Sequence, residues 1–271
     1  VTGARPAPAP EAPLVRGAYE RGVTTLTLDS PHNRNALSRR LVRELYDGLA
    51  SAAAHAETRA VLLTHTGGTF CAGADLGEAA RDAAADAQQA PDAPDAPARA
   101  LARLLRTVVA FPKPVVARVT GHVRAGGTGL LAACDISAAA PTATFAFTEV
   151  RLGLAPAVIS MPLLPRLDPR AVGRYFLTGE RFDAAEAARI GLVTLAAPDP
   201  DEALAPVLEG LRRGSPQGLA ESKRLATVEV LRAFDRDTDS LAALSARLFA
   251  SDEAREGMSA FLERREPGWV R

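Results

Sequence analysis

Gly121-His122-Val123-Arg124-Ala125-Gly126-Gly127-Thr128-Gly129 runs without a break into Leu130-Leu131-Ala132-Ala133-Cys134-Asp135-Ile136. Just before it, Val115-Val116-Ala117-Arg118-Val119 has the β-branched character of a strand. The stretch therefore reads as strand, small-residue turn, short apolar helix. A helix from Gly127 to Ala133 would begin at the turn and aim its N-terminal dipole there. A second turn of this kind, Phe70-Cys71-Ala72-Gly73-Ala74-Asp75-Leu76, follows the apolar run Ala60-Val61-Leu62-Leu63-Thr64. Small residues let backbone N–H groups come close to a ligand. Two such donors aimed at one oxygen make an oxyanion hole, which stabilises an enolate or a tetrahedral anion. The pair of turns points to chemistry on an acyl group.

Working outward, Ala60 to Thr64 reads as a buried parallel strand. Leu14 to Leu28 reads as two strands around a turn, with alternation in Val23-Thr24-Thr25-Leu26-Thr27-Leu28. Pro31-His32-Asn33-Arg34-Asn35 is a loop, and Ser38 can cap a helix with Leu41, Val42, Leu45 and Leu49 on one face. A helix is expected from about Arg99 to Ala110, and short strands over Asp135 to Ala140 and Thr144 to Phe147. From Pro156 the pattern is mainly helical. Asp183 can cap a helix through Ile190, with Gly191 at its C′ position. Amphipathic helices follow over 201–213, 217–233 and 236–264. Alternating strands and helices followed by a helical tail indicate an α/β fold with an added helical region. Residues 1–13 read as a disordered tail. Residues 79–98, dominated by Ala, Asp, Gln and Pro, read as a flexible insertion or a helical lid, mobile without ligand and ordering over the acyl chain.

The totals narrow the function classes. Lys+Arg and Asp+Glu are both 32 in 271 residues, so the formal net charge is zero. That balance supports neither a nucleic-acid partner nor an anionic membrane surface. With 47% hydrophobic residues the chain can bury a sizeable core. Cys71 and Cys134 sit in small-residue segments outside any CxxC pair and read as buried, reduced thiols. The four histidines lack close His/Cys spacing, so no metal site is expected. With no signal-peptide pattern and no long apolar run, the expected compartment is the cytoplasm.

With these residues in hand, the chain resembles the enoyl-CoA hydratase/isomerase (crotonase) superfamily over about residues 14–269. The matching pieces are Asn35-Ala36-Leu37, the turn from Phe70 to Leu76, the segment from Gly121 to Ile136, and Phe145 to Gly153 with Glu149. Further matches are Leu177-Thr178-Gly179, Gly191-Leu192-Val193, Glu256-Gly257, Ala260-Phe261, Glu263-Arg264-Arg265, Pro267 and Trp269. The resemblance implies a spiral of ββα units over 14–200. It also implies a C-terminal helical region, 201–271, that builds a homotrimer or a dimer of trimers. It implies an acyl-CoA thioester substrate, so coenzyme A enters with the substrate and no separate cofactor is expected. By the same resemblance, the oxyanion donors are the backbone N–H groups of Ala74 and Gly126. Substrate contacts are expected at Ala36, Ala72, Asp75, Leu76 and Gly127. Arg34 and Arg265 are candidates for the CoA phosphates, and Lys223 matches a recurrent family lysine.

One departure bears on the reaction. Family hydratases with two carboxylates carry one on the helix after the second glycine turn and one twenty residues later. The later one is Glu149; the earlier position is Gly129. Either Glu149 activates water and handles the α-proton in turn, or a substrate or solvent group replaces the missing acid. A carboxylate in an apolar pocket has a raised pKa suited to acid/base exchange near neutrality. The segments Arg124 to Leu130 and Thr148 to Ser160 are similar to those of hydratases of branched glutaconyl-type thioesters, whose second carboxylate Arg124 or His122 would recognise. Hydration of a 2-enoyl-CoA is thus the leading expectation. A Δ3,Δ2-enoyl-CoA isomerase or an acyl-CoA decarboxylase on the same scaffold is the alternative, and a non-catalytic acyl-CoA-binding protein a third.

Overall fold

A computed structural model describes residues 12–78 and 95–270. The expected tail falls almost wholly on residues 1–11 and the expected lid mostly on 79–94, both outside the described residues. Residues 96–98, the end of the expected insertion or helical lid, form the first turn of a helix.

The chain alternates between two sheets. The larger holds β1 (Val15–Glu20), β2 (Val23–Leu28), β3 (Ala60–His65), β5 (Val115–Val119), β7 (Ile136–Ala139) and β10 (Leu195–Ala196), in the order β1-β2-β3-β5-β7-β10. The smaller holds β4 (Thr69–Cys71), β6 (His122–Arg124), β8 (Thr144–Ala146) and β9 (Phe182–Asp183), in the order β4-β6-β8-β9. After the β1–β2 hairpin, the larger sheet is parallel. Each turn of the spiral lays one strand in each sheet before a helix: β3 and β4 precede α2 (Ala96–Val109), and β5 and β6 precede α3 (Gly126–Ala133). This is the expected ββα spiral. The nearly continuous apolar run of β3 follows from its place between β2 and β5, where both faces are covered.

Every residue of α3 is buried, consistent with an apolar helix packed between the smaller sheet and the helices Ala96–Val109 and Ser160–Leu163. Helix α1 (Arg39–Ala54) begins as expected, with Ser38 accepting the Leu41 N–H. It buries Leu41, Leu45, Leu49 and Ala52; Val42 is only half-buried. Asp183 caps the next-turn helix Ala184–Arg189 through the Glu186 N–H, and Gly191 follows it at φ 86°.

The C-terminal helices are divided differently from the expectation. They are α7 (Pro200–Arg213), α8 (Pro216–Ala226), α9 (Val228–Phe249) and α10 (Asp252–Glu263), counting α4 (Ser160–Leu163), α5 (Pro169–Thr178) and α6 (Ala184–Arg189) before them. The break falls at Thr227, whose hydroxyl turns back to the Lys223 carbonyl, instead of near 234. The Ser251 cap, accepting the Ala254 N–H, divides the last expected helix in two. The two-residue strands β9 and β10 went unforeseen because they are too short to show a period. The strand expected over Asp135 to Ala140 loses both ends: Asp135 accepts the Val115 N–H at 2.7 Å and pairs with Lys223 Nζ at 2.8 Å. Lys223 also donates to the carbonyls of Val108 and Lys113, so the family lysine has a structural role: it ties α8 to the core. Both cysteines are buried and unpaired, and burial pushes their thiols up to about 12.

Candidate active site

β4, β6 and β8 are parallel neighbours, so their carboxyl ends share one edge of the small sheet. From that edge run three segments: Ala72-Gly73-Ala74, Ala125-Gly126, and the short helical turn Glu149–Leu152. Carboxyl ends of parallel strands are the usual place for a ligand in an open α/β sheet. The two glycine turns expected to cooperate do come together. A Cβ placed on Gly73 would lie 2.9 Å from Gly126 N, and one on Gly126 would lie 3.7 Å from Ala74 N. Neither the Ala74 nor the Gly126 N–H has a hydrogen-bond partner among the described residues. Gly126 is the first residue of α3, whose opening N–H groups have no partner within the helix.

The first turn is laced to the loop before α1. Ala72 N donates to the Arg34 carbonyl at 3.1 Å and Leu37 N to the Gly73 carbonyl at 2.7 Å, with Ala36 buried between them. Asn35 fixes that loop from inside: its amide donates to the carbonyls of Thr66 and Thr69 and accepts the Ser30 N–H. The second turn turns on Ala125, which holds φ 45° and ψ −123°, a region that L-residues rarely adopt. Ala125 N donates to the Ala146 carbonyl and its own carbonyl accepts from Thr128, so both sides of this strained residue are held. Nothing in the sequence marks Ala125, because alanine carries no signal for a positive φ.

Glu149 is 8% exposed. Its Oε2 is buried with no hydrogen-bond partner. Burial pushes its carboxyl up to about 7, with its own backbone N–H pulling the other way. A buried carboxyl oxygen without a partner is costly. Gly129 is more than a missing acid. A Cβ there would lie 2.6 Å from Ile159 Cγ2 and 3.2 Å from Leu105 Cδ1, so hydrocarbon already occupies the space. Ile159 and Leu105 went unnoticed in the sequence because each resembles any other core residue.

The remaining residues fall as follows. Asp75 accepts the Asn33 amide and the Glu78 N–H, starting the helical residues 76–78 that include Leu76. Gly127 is seated on β4: a Cβ there would meet the Cys71 carbonyl oxygen at 2.5 Å, which gives it a packing reason. Arg124 donates to the carbonyls of Val123 and Thr144 and to Thr144 Oγ1, and His122 Nδ1 shares that hydroxyl. Burial and then the Arg181 charge bring the Arg124 guanidinium down to about 10. Arg34 is exposed, at φ 60°. Arg265 lies at the far end of α10 in a network with Glu256 and Glu263.

A sequence model of the enoyl-CoA hydratase/isomerase family matches residues 18–271. A human relative, enoyl-CoA hydratase domain-containing protein 2, mitochondrial, is 32% identical over 261 residues, spanning 93% of this chain and 86% of the relative. The crystal structure of an enoyl-CoA hydratase from Mycobacterium avium superposes with a TM-score of 0.87 at 53% identity, covering 96% of this chain and all (100%) of that one. An enoyl-CoA hydratase from Shewanella pealeana superposes with a TM-score of 0.74 at 34% identity, covering 94% and 96%. The spiral of two sheets, the two glycine turns and these matches agree: the chain belongs to the enoyl-CoA hydratase/isomerase family of enzymes.

Proposed function

We propose that this enzyme adds water reversibly to a 2-enoyl-CoA thioester with Glu149 as its one acid/base group. The observation that carries this reading is the buried Glu149 carboxyl with an unpartnered oxygen, on the same sheet edge as two free N–H groups. The thioester carbonyl accepts from Ala74 N–H and Gly126 N–H. The Glu149 carboxylate takes a proton from water as the water oxygen bonds to the β-carbon. The electron pair of the double bond moves onto the thioester as an enolate, held by the two donors. Glu149, now protonated, returns the proton to the α-carbon and the carbonyl reforms. The filled space beside Gly129 supports division of this work by one carboxylate in sequence. In this reading the substrate supplies its own coenzyme A, and exposed Arg34 is available to the phosphates.

One carboxylate also suits a proton shuttle between two carbons of the acyl chain, so Δ3,Δ2-isomerisation is the second reading. The test is product analysis of the wild type and Glu149→Gln with crotonyl-CoA, 3-methylglutaconyl-CoA and a 3-enoyl-CoA in parallel. A 3-hydroxy product that is lost in the variant supports hydration. Bond migration without water uptake, or CO2 release, overturns it. Preference for 3-methylglutaconyl-CoA would assign the acidic acyl end to Arg124 or His122. Binding with no turnover of any substrate would leave a non-catalytic role.

A further inference from the structure

Gly257, in the middle of α10, and Gly153, at the end of the turn that carries Glu149, each sit against backbone of the other element. A Cβ on Gly257 would lie 2.6 Å from the Leu152 carbonyl carbon and 2.7 Å from its Cα. Conversely, a Cβ on Gly153, at φ 70°, would lie 2.6 Å from the Glu253 carbonyl carbon and 2.8 Å from Ala254 N. No side chain cushions the contact, which only glycine on both sides permits. The turn itself has little slack, because the Gly153 and Leu154 N–H groups both donate to the Glu149 carbonyl. On the other side, α10 is stiffened by its Ser251 cap and by the burial of Ala254 and Ala260. A displacement of the helix therefore passes through Leu152 and Gly153 to the Glu149 backbone.

We propose that α10 is a positioning element for Glu149, acting through the Gly257–Leu152 and Gly153–Glu253 contacts, so that the C-terminal helix sets how deep the catalytic carboxyl sits. Gly257 is then a positioning residue that touches no substrate. The inference rests on Glu149 being the reacting acid only for its kinetic readout.

The test uses the full chain with Gly257→Ala, Ser251→Ala and, as a control, Gly210→Ala, whose added methyl meets nothing within 4 Å. The Glu149 carboxyl is followed by difference infrared titration against Glu149→Gln. In Gly257→Ala, water admitted beside Glu149 should move its titration down by roughly half a pH unit or more. Turnover should fall roughly ten- to hundredfold, as misplacement of a reacting group predicts, with KM within about twofold. Gly210→Ala should match the wild type in both. Ser251→Ala weakens the helix without adding bulk, and should speed amide hydrogen exchange in α10 and in residues 149–154 together. Wild-type titration and turnover in a folded Gly257→Ala protein would overturn the proposal. So would faster exchange confined to α10, which decides the matter if Gly257→Ala does not fold. Titration and exchange need no substrate, so they stand even if the hydration reading fails.

Discussion

At the scale of one residue, the proposed chemistry rests on a single carboxyl. Glu149→Gln keeps the shape and removes the base, so turnover should fall by about two to four orders of magnitude in a hydration assay. In the proposed hydration Glu149 starts ionised in both directions, so kcat/KM should rise with pH through about 7, where burial places its titration. The same shift bears on stability. The folded state holds a proton on Glu149 that the unfolded chain releases from 4.5 upward, so this group's contribution falls as pH rises to about 7 and then stays level. Glu149→Gln should therefore be more stable than wild type at pH 8, by up to roughly 3 kcal/mol, with the gain gone near pH 4.5. Urea unfolding at the two pH values checks the sign. At the missing acid, Gly129→Ala should cost about 1–3 kcal/mol by overpacking against Ile159. Adding Ile159→Ala should recover part of that loss. Equal stability of Gly129→Ala and wild type would mean that the space is not filled.

Connections decide at the scale of elements. Sequence motifs placed Ala74 and Gly126 on two turns after two strands. Their meeting required β4 and β6 to be parallel neighbours, which no local pattern encodes. Ala125 is the hinge of the second turn, and its positive φ stores strain of about 1–3 kcal/mol. Ala125→Gly should relieve part of it and raise the unfolding midpoint, whereas a β-branched residue there should lower it. α8 is tied to the core by the buried Lys223–Asp135 pair. Lys223→Met removes the ion-pair partner of Asp135, leaving it the Val115 N–H and the more distant Arg166 charge, and should cost up to about 3–5 kcal/mol. Denaturant titration at neutral pH measures it, and a loss under about 1 kcal/mol would show that solvent reaches Asp135. Helix starts were legible because Ser38 and Asp183 cap by local chemistry. The split of the C-terminal helices was not, since Thr227 ends α8 through its own side chain without a proline or glycine.

The question at the scale of the whole molecule is self-association. Leu225, Phe249, Phe261, Leu262 and Trp269 on the C-terminal elements are all exposed in the single chain. We propose that these side chains are covered by further copies of this chain. Light scattering should give a mass in multiples of three chains. Leu262→Asp, which puts charge on a side chain 59% exposed, should shift it toward monomer without unfolding. A monomeric wild type would remove the trimer reading. Among the described residues, no helix is long and apolar enough to cross a membrane.

Elements whose cause is local were legible in the chain: the β1–β2 hairpin, the apolar strands β3 and β5, the capped helices, and the glycine turns with their family pattern. The sequence also singled out Glu149, through its place in that pattern. What depends on neighbours distant in the chain came from the folded arrangement. It buries the Glu149 carboxyl, leaves its Oε2 without a partner and raises its pKa. It fills the place of a second acid with Ile159 from another turn of the spiral. It presses Gly257 onto the turn that carries the acid. Propensity and periodicity arise from interactions within a few residues, whereas desolvation and close packing arise from whatever the fold brings alongside.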